Sequence, residues 1–252
     1  MADSKIYCGT SGFAYESWRP EFYPPKLPSA QFLRHYATRL NAVEINYTYR
    51  RIAAPSTFEK WIHATPDGFL FLPKAHMKIT HSLKLVNADE FTRVFLDSLQ
   101  PLHDAARLGP ILFQLPPSLK VDTVRLANFL GALPRGIRVA FEFRNASWFA
   151  DKVYETLQAA NAALCLAENE NLETPFVITA DFVYLRLRKP DYSESELEAI
   201  EWRIRQYRAN GYPVFAIFKH EESPAGAFHA EALLKKEDLP AEPGLVSGLI
   251  RE

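Results

Sequence analysis

The chain has 252 residues, 48% of them hydrophobic, enough to bury a large core. Its 29 Lys and Arg stand against 30 Asp and Glu, a net charge of -1. That balance excludes a global basic field for nucleic acid and leaves a local basic groove open.

The start, "MADSKIYCG", lacks an apolar stretch of signal-peptide length. No run of about 18 apolar residues occurs, so no membrane span is expected. The two cysteines, Cys8 and Cys165, sit in apolar runs and read as reduced core thiols. A cytoplasmic protein is expected.

Eight apolar runs of strand length follow one another. They are "KIYCGT", "AVEINY", "FLFLPKA", "PILFQL", "RVAFEF", "ALCLAE", "FVYLRL" and "VFAIFK". Helical spacing separates them, with start signals. Ser56 with Glu59, and Asn87 with Glu90, read as N-terminal capping pairs. Asp122 caps a helix holding Leu126, Phe129 and Leu130. Ser193 with Glu196 opens a helix that runs towards Gly211 as a stop. Strands alternating with helices predict a parallel sheet. Eight such units predict an α/β fold: a single (β/α)8 TIM-barrel-like domain over residues 1–252, with a parallel barrel core. No Gly-x-Gly-x-x-Gly follows any strand, which weakens an open dinucleotide-binding sheet.

In such a barrel the outer strand face meets helices, and the inner face opens at the C-terminal mouth. Side chains alternate between the two. The second strand sets Glu44, Asn46 and Thr48 on one face. The third sets Lys74 and His76, the fourth Gln114, the fifth Glu142 and Arg144, and the seventh Tyr184, Arg186 and Arg188. The eighth gives Ala216, Phe218 and His220 as the inward set. Polarity grows towards the strand ends, so these residues are predicted to share one pocket. Alternation leaves the direction of Glu168 open.

Glu142 and Glu44 are candidate acid and base, as paired carboxylates are in glycoside hydrolysis. Lys74 is a candidate nucleophile or oxyanion stabiliser. Arg144 and Arg186 suit a bidentate grip on an anion. Trp18, Tyr23, Tyr49 and Trp148 lie on loops and could stack a sugar or a base. "GTSG" reads as an anion cradle or as a tight turn. No His-x-His or His-Glu-x-x-His spacing occurs. The inward cations disfavour a metal, so neither metal nor cofactor is expected.

Longer stretches resemble a known family. "YCGTSGF", Trp18, "FYP", "VEINYTYR", "PDGFLFLPKA", "ITH", "LGPILFQLPPS", "AFEFRNASWF", "LCLAE" and "TADFVYLRLR" look, in order over nearly the whole chain, like the YecE-like family, domain of unknown function 72. The resemblance implies a TIM-barrel-like fold with a polar cleft at one end and no established reaction. Carried residue by residue, it implies cleft positions at Thr10, Ser11, Trp18, Glu44, Asn46, Tyr49, Lys74, Gln114, Glu142, Arg144, Trp148 and Arg186. The sequence departs from the pattern at Glu168, at "LRK" after Arg186 and at "FKHEE" after the eighth strand.

The sequence therefore leads to a metal-independent barrel hydrolase or lyase acting on a polar, anionic or sugar-like small molecule. The alternative is a non-catalytic nucleotide- or nucleic-acid-binding protein that uses a basic, aromatic-rimmed mouth; nucleic acid is the less favoured partner.

Overall fold

The computed structural model describes residues 4–168, 172–219 and 222–236. All eight predicted strands form: β1 (Ile6–Ser11), β2 (Ala42–Ile45), β3 (Leu70–Pro73), β4 (Ile111–Gln114), β5 (Val139–Glu142), β6 (Ala163–Ala167), β7 (Val183–Leu187) and β8 (Val214–Phe218). They lie parallel in the order β3-β2-β1-β8-β7-β6-β5-β4. The ends meet through two bridges, Phe71 with Leu108 and Lys74 with Leu112, which bring the sheet round into a nearly closed barrel.

Helices lie between most strands. They are α1 (Phe32–Tyr36), α2 (Tyr47–Arg50), α3 (Pro55–His63), α4 (Asp89–Ser98), α5 (Gln100–Asp104), α6 (Thr123–Ala132), α7 (Asp151–Ala159), α8 (Glu194–Ala209) and α9 (Ala225–Lys235). No described residue between β6 and β7 is helical. Instead, Thr179 accepts from the Leu164 amide at 2.7 Å and donates to the Ala162 carbonyl at 2.7 Å, tying that crossover to the edge of β6. A cavity of about 360 Å³ remains over Leu166, Leu185 and Leu187, against Ile200 of α8.

The helix starts follow the sequence in part. Asp122 accepts from the Arg125 amide, and Ser193 with Glu196 forms a full capping box. Gly211, just beyond α8, has φ +88°, the left-handed conformation glycine adopts without penalty. Two expectations need correction. Ser56 does not cap α3, because Pro55, with its φ preset for helix, starts it one residue earlier behind Ala54. Asn87 is left-handed and Ala88 precedes α4, so Asn87 and Glu90 make no capping pair there. The apolar residues from Phe91 to Leu102 are split between α4 and α5, since Pro101 cannot continue a helix.

Packing separates into two layers. The outer layer joins strands to helices, with Phe113 5.2 Å from Phe141 and 5.3 Å from Phe129, ring centre to ring centre. The inner layer fills the barrel with Leu72, Leu112, Cys165, Tyr184, Phe215 and Ile217. Small residues, Ala42, Ala140, Ala163 and Ala167, face the large ones and make room for them. Each fully buried large apolar side chain contributes about 1.5–3 kcal/mol. The cysteines are both free and buried, Cys8 in the outer layer and Cys165 in the inner.

The eighth strand corrects the inward set. Phe215 and Ile217 face the barrel interior, while Ala216 and Phe218 pack outward. Its run "VFAIF" has no polar residue to mark a face, and the two registers look alike in sequence. His220 lies outside the described residues.

Gly9 stands where β1 and β2 approach closely: a Cβ there would lie 1.9 Å from the Ala42 carbonyl oxygen. Gly12 follows with φ +90° and would clash with the Tyr15 ring. "GTSG" is therefore a tight exit from β1. Gly9→Ala should cost about 3 kcal/mol by overpacking, read as a lower urea midpoint at unchanged slope. A loss under about 0.5 kcal/mol, the level of a neutral surface change, would refute the close approach.

Candidate functional site

Polar side chains from six strands meet at the C-terminal end of the barrel. Arg186, on the inward face of β7, is at the centre, 2% exposed. Its Nε donates to Glu44 Oε2 at 2.9 Å, and its Nη2 to Glu44 Oε1 at 2.7 Å. Its Nη1 donates to Glu142 Oε2. One guanidinium thus joins β2, β5 and β7, two bonds to one carboxylate and one to the other.

The remaining valences are filled. Glu44 also accepts from Ser11 Oγ at 2.7 Å and from the Tyr184 hydroxyl at 2.9 Å. Asn46 Nδ2 donates to Ser11 Oγ at 3.0 Å. Glu142 accepts from Gln114 Nε2 at 2.8 Å and, more distantly, from Arg188 Nη1 at 3.4 Å. Both carboxylates are fully buried.

The charges follow from this geometry. Burial alone would raise the Glu44 carboxyl. The Arg186 charge and the bonds from Arg186 and Ser11, with Lys74 beyond, outweigh it and hold the group below the ordinary carboxylate value. Glu142 is lowered in the same way: burial is outweighed by Arg186 and Arg188 and by the Gln114 bond. Arg186 is raised well above its usual value, because the two carboxylates outweigh its burial. Burial and then Glu44 push the Tyr184 hydroxyl upward, so it stays a donor.

Lys74 extends from β3 at the same level. Its Nζ donates to Gln114 Oε1 at 2.9 Å and lies 4.4 Å from the centre of the Tyr49 ring. Among the described residues it makes no ion pair within 4 Å. Gln114 thus stands between the amine and Glu142, passing a donor to one and an acceptor to the other. Burial, then the Arg186 charge, lowers Lys74 to about 8. Glu44 and Glu142 pull it up and Lys219 pushes it further down.

Tyr49 packs edge-on against His81, 5.5 Å between ring centres. His81 sits in a short π-helical turn, Lys78–Ser82. Burial, with the charges of Lys74 and Arg144, lowers its pKa. Arg144 is exposed at the rim, and its charge acts on both Tyr49 and His81.

Four expected residues are elsewhere. Thr10 faces the outer layer; its amide donates to the Tyr36 hydroxyl at 2.8 Å and its own hydroxyl to the Gly12 carbonyl at 2.6 Å. Trp18 is fully buried in an aromatic cluster, 5.0 Å from Tyr15 and 5.4 Å from Phe22. Trp148 is fully buried too, stacked 4.6 Å over Phe143 with its Nε1 donating to the Leu119 carbonyl. Neither indole offers a face to a ligand. Tyr23 is buried as well, stacked on Phe32 at 4.0 Å. Apolar burial outcompetes exposure for such large rings, and loop sequence carries no periodicity to reveal it.

Glu168 points away from the mouth. It accepts from the Arg188 amide at 2.9 Å and from the Tyr192 hydroxyl, and it borders the cavity beside β6 and β7. Sequence reasoning missed the role of Tyr184, although it shares the inward face of Arg186. Lys219, which was not among the expected site residues, acts on Lys74. Among the described residues, no three His, Cys, Asp or Glu side chains come together as metal ligands. No helix among them is long and apolar enough to cross a membrane.

Replacing Arg186 tests the network. Arg186→Met takes the main counter-charge from two buried carboxylates, leaving Glu142 only the 3.4 Å contact with Arg188, a loss of about 3–5 kcal/mol at neutral pH. In the native protein both carboxyls are lowered, so they stabilise above the unfolded carboxylate value, about 4.3, and that stability fades as pH falls through the folded values. In the variant the main charge that opposes burial is gone, so both carboxyls rise. Its deficit should therefore be largest at neutral pH and shrink towards pH of about 4–5. Urea unfolding across that range checks this; a deficit independent of pH would contradict it.

A sequence profile of the family described as "Protein of unknown function DUF72" matches residues 7–245. The UPF0759 protein YunF of Bacillus subtilis is 31% identical over 156 residues, 60% of this chain and 54% of the relative. The match thus spans about half of that relative's length. The crystal structure of a DUF72 family protein from Thermotoga maritima superposes with TM-score 0.81 at 25% identity, covering 92% of this chain and 98% of that one. One from Enterococcus faecalis gives TM-score 0.73 at 18% identity, covering 92% and 98%. With its barrel and its match along nearly the whole length, this chain belongs to the DUF72 family, the YecE-like family of the resemblance.

Proposed function

We propose that the barrel mouth binds an anionic small molecule bearing a carbonyl group, and that Lys74 is the reacting group of a metal-independent lyase. The observation that carries this reading is the Lys74 amine. It is half-buried at a strand end, hydrogen-bonded to a neutral amide, and lowered to about 8. A fraction of it is thus neutral and nucleophilic near neutral pH.

In this reading the neutral amine adds to the substrate carbonyl carbon. With one proton taken up, the adduct loses water to leave an iminium. The iminium accepts the electron pair released when a neighbouring bond of the substrate breaks. The fragment that gave up the pair departs as a carbonyl compound or carbon dioxide. The resulting enamine takes a proton from water to become an iminium again, and hydrolysis returns the free amine and the product. Arg188, Lys219 and Arg144 surround this position with positive charge and suit an anionic substrate.

Glu142 and Glu44, the acid/base pair of the sequence reading, have less support as proton carriers. Both are buried, kept ionised and hydrogen-bonded at each oxygen. Their better-supported work is to fix Arg186, whose charge in turn lowers Lys74. Glycoside hydrolysis, which needs a protonated carboxyl, is correspondingly less favoured.

The test is reductive trapping. The protein is incubated with pyruvate, oxaloacetate or glyceraldehyde phosphate and cyanoborohydride, and adducts are mapped by mass spectrometry. Labelling should concentrate on Lys74, rise with pH towards a plateau above about 8, and vanish in Lys74→Met. Labelling spread over exposed lysines in proportion to their accessibility would overturn the proposal.

A further inference from the structure

The four segments that leave β2, β3, β4 and β5 at the mouth are basic up to the helix starts, where Asp89, Glu90, Asp122 and Asp151 stand. Residues 46–58 contain Arg50 and Arg51 and no Asp or Glu. Residues 74–88 contain Lys74, Lys78 and Lys84, with His76 and His81. Residues 115–121 contain Lys120, and residues 143–150 contain Arg144. The chain as a whole is balanced at -1, whereas these stretches hold seven Lys and Arg against the four acids at the helix starts, a local positive excess.

The segments after β2 and β3 lie against each other, with Arg144 beside them. Lys74 in the mouth touches the Tyr49 ring, which packs on His81 beside Arg144. Arg50 acts on Tyr49 and, through its backbone, on His76. His76 packs on Phe91 at 5.0 Å, and the Lys78 amine lies 4.3 Å from the centre of the same ring. Arg51 lies over Tyr47. Tyr47, Ile52 and Met77 are exposed among them, at 41%, 38% and 39%. Exposed apolar and aromatic side chains between cations are costly in water unless something covers them.

We infer that this rim binds a single strand of nucleic acid, with phosphates on Arg50, Arg51, Lys78 and Arg144 and bases against Tyr47 and Met77. Cations tracking a backbone with flat side chains between them are what single-strand recognition requires. A duplex keeps its bases stacked inside and leaves those side chains without a partner. The inference goes beyond the reading of the mouth and rests on it only for the shared positive field. Lys74 chemistry is not needed for it.

Anisotropy of a fluorescein-labelled oligothymidylate, titrated with the full chain, tests this. Four phosphate contacts predict a slope of log affinity against log salt near ~-2.8, about a fifty-fold loss between about 50 and 200 mM salt. Reversing three exposed charges, Arg50→Glu with Arg51→Glu and Lys78→Glu, should weaken binding at least about tenfold and flatten the slope by ~2. Arg135→Glu, exposed at the opposite end where the chain enters β5, should leave binding unchanged. Lys74→Met should lose the trapped adduct yet keep most strand binding, which separates failure of the rim from failure of the lysine chemistry. Unchanged binding in the triple variant, equal loss in Arg135→Glu, or equal affinity for a duplex of the same length would each overturn the inference.

Discussion

The site depends on one guanidinium shared by two buried carboxylates. Taking three charges out of water is expensive, and Coulomb attraction offsets that cost only with good geometry and full hydrogen bonding. Both conditions are met. Glu44 receives Arg186 through two parallel bonds and is completed by Ser11 and Tyr184. Glu142 takes the third bond and is completed by Gln114 and Arg188. The group is over-determined: β1, β2, β4, β5 and β7 each supply a member. Such an array is weak evidence for stability, since apolar replacement often serves as well. Its distinctive effect is electrical. It fixes opposite charges at the floor of the mouth, and these act in opposite directions on the lysine above, Arg186 lowering it after burial and the two carboxylates raising it.

That array also explains why a barrel with apolar lower layers ends in polar ones. Tyr184 and Arg186 share one face of β7, with Tyr184 deeper. The tyrosine ring belongs to the packed interior while its hydroxyl reaches up to Glu44. A single side chain thereby joins the hydrophobic layer to the ionic one, and no buried polar atom of the pair is left unsatisfied.

Much of this was legible in the sequence. Strand runs were clear because each apolar stretch is short and bounded, and their number pointed to a barrel. Glu44, Lys74, Gln114, Glu142 and Arg186 could be found together because each interrupts an apolar alternation at a strand end. Where alternation was absent, the reading failed. "VFAIF" is apolar on both faces, and its inward set came out inverted. Trp18 and Trp148 lie in loops, where no period separates a buried ring from an exposed one. Capping pairs held where a polar side chain had no competitor, at Asp122 and Ser193, and failed where Pro55 or a left-handed Asn87 set the backbone first.

The β3–β4 seam is joined only through the Phe71–Leu108 and Lys74–Leu112 bridges, whereas the other neighbours share continuous ladders. Lys74 and Gln114 belong to the two strands on either side of it. Any parting of this seam pulls the Lys74 amine away from the Gln114 amide oxygen, which it meets at 2.9 Å. An occupant bridging Lys74 and Gln114 would therefore clasp the barrel shut across its thinnest join.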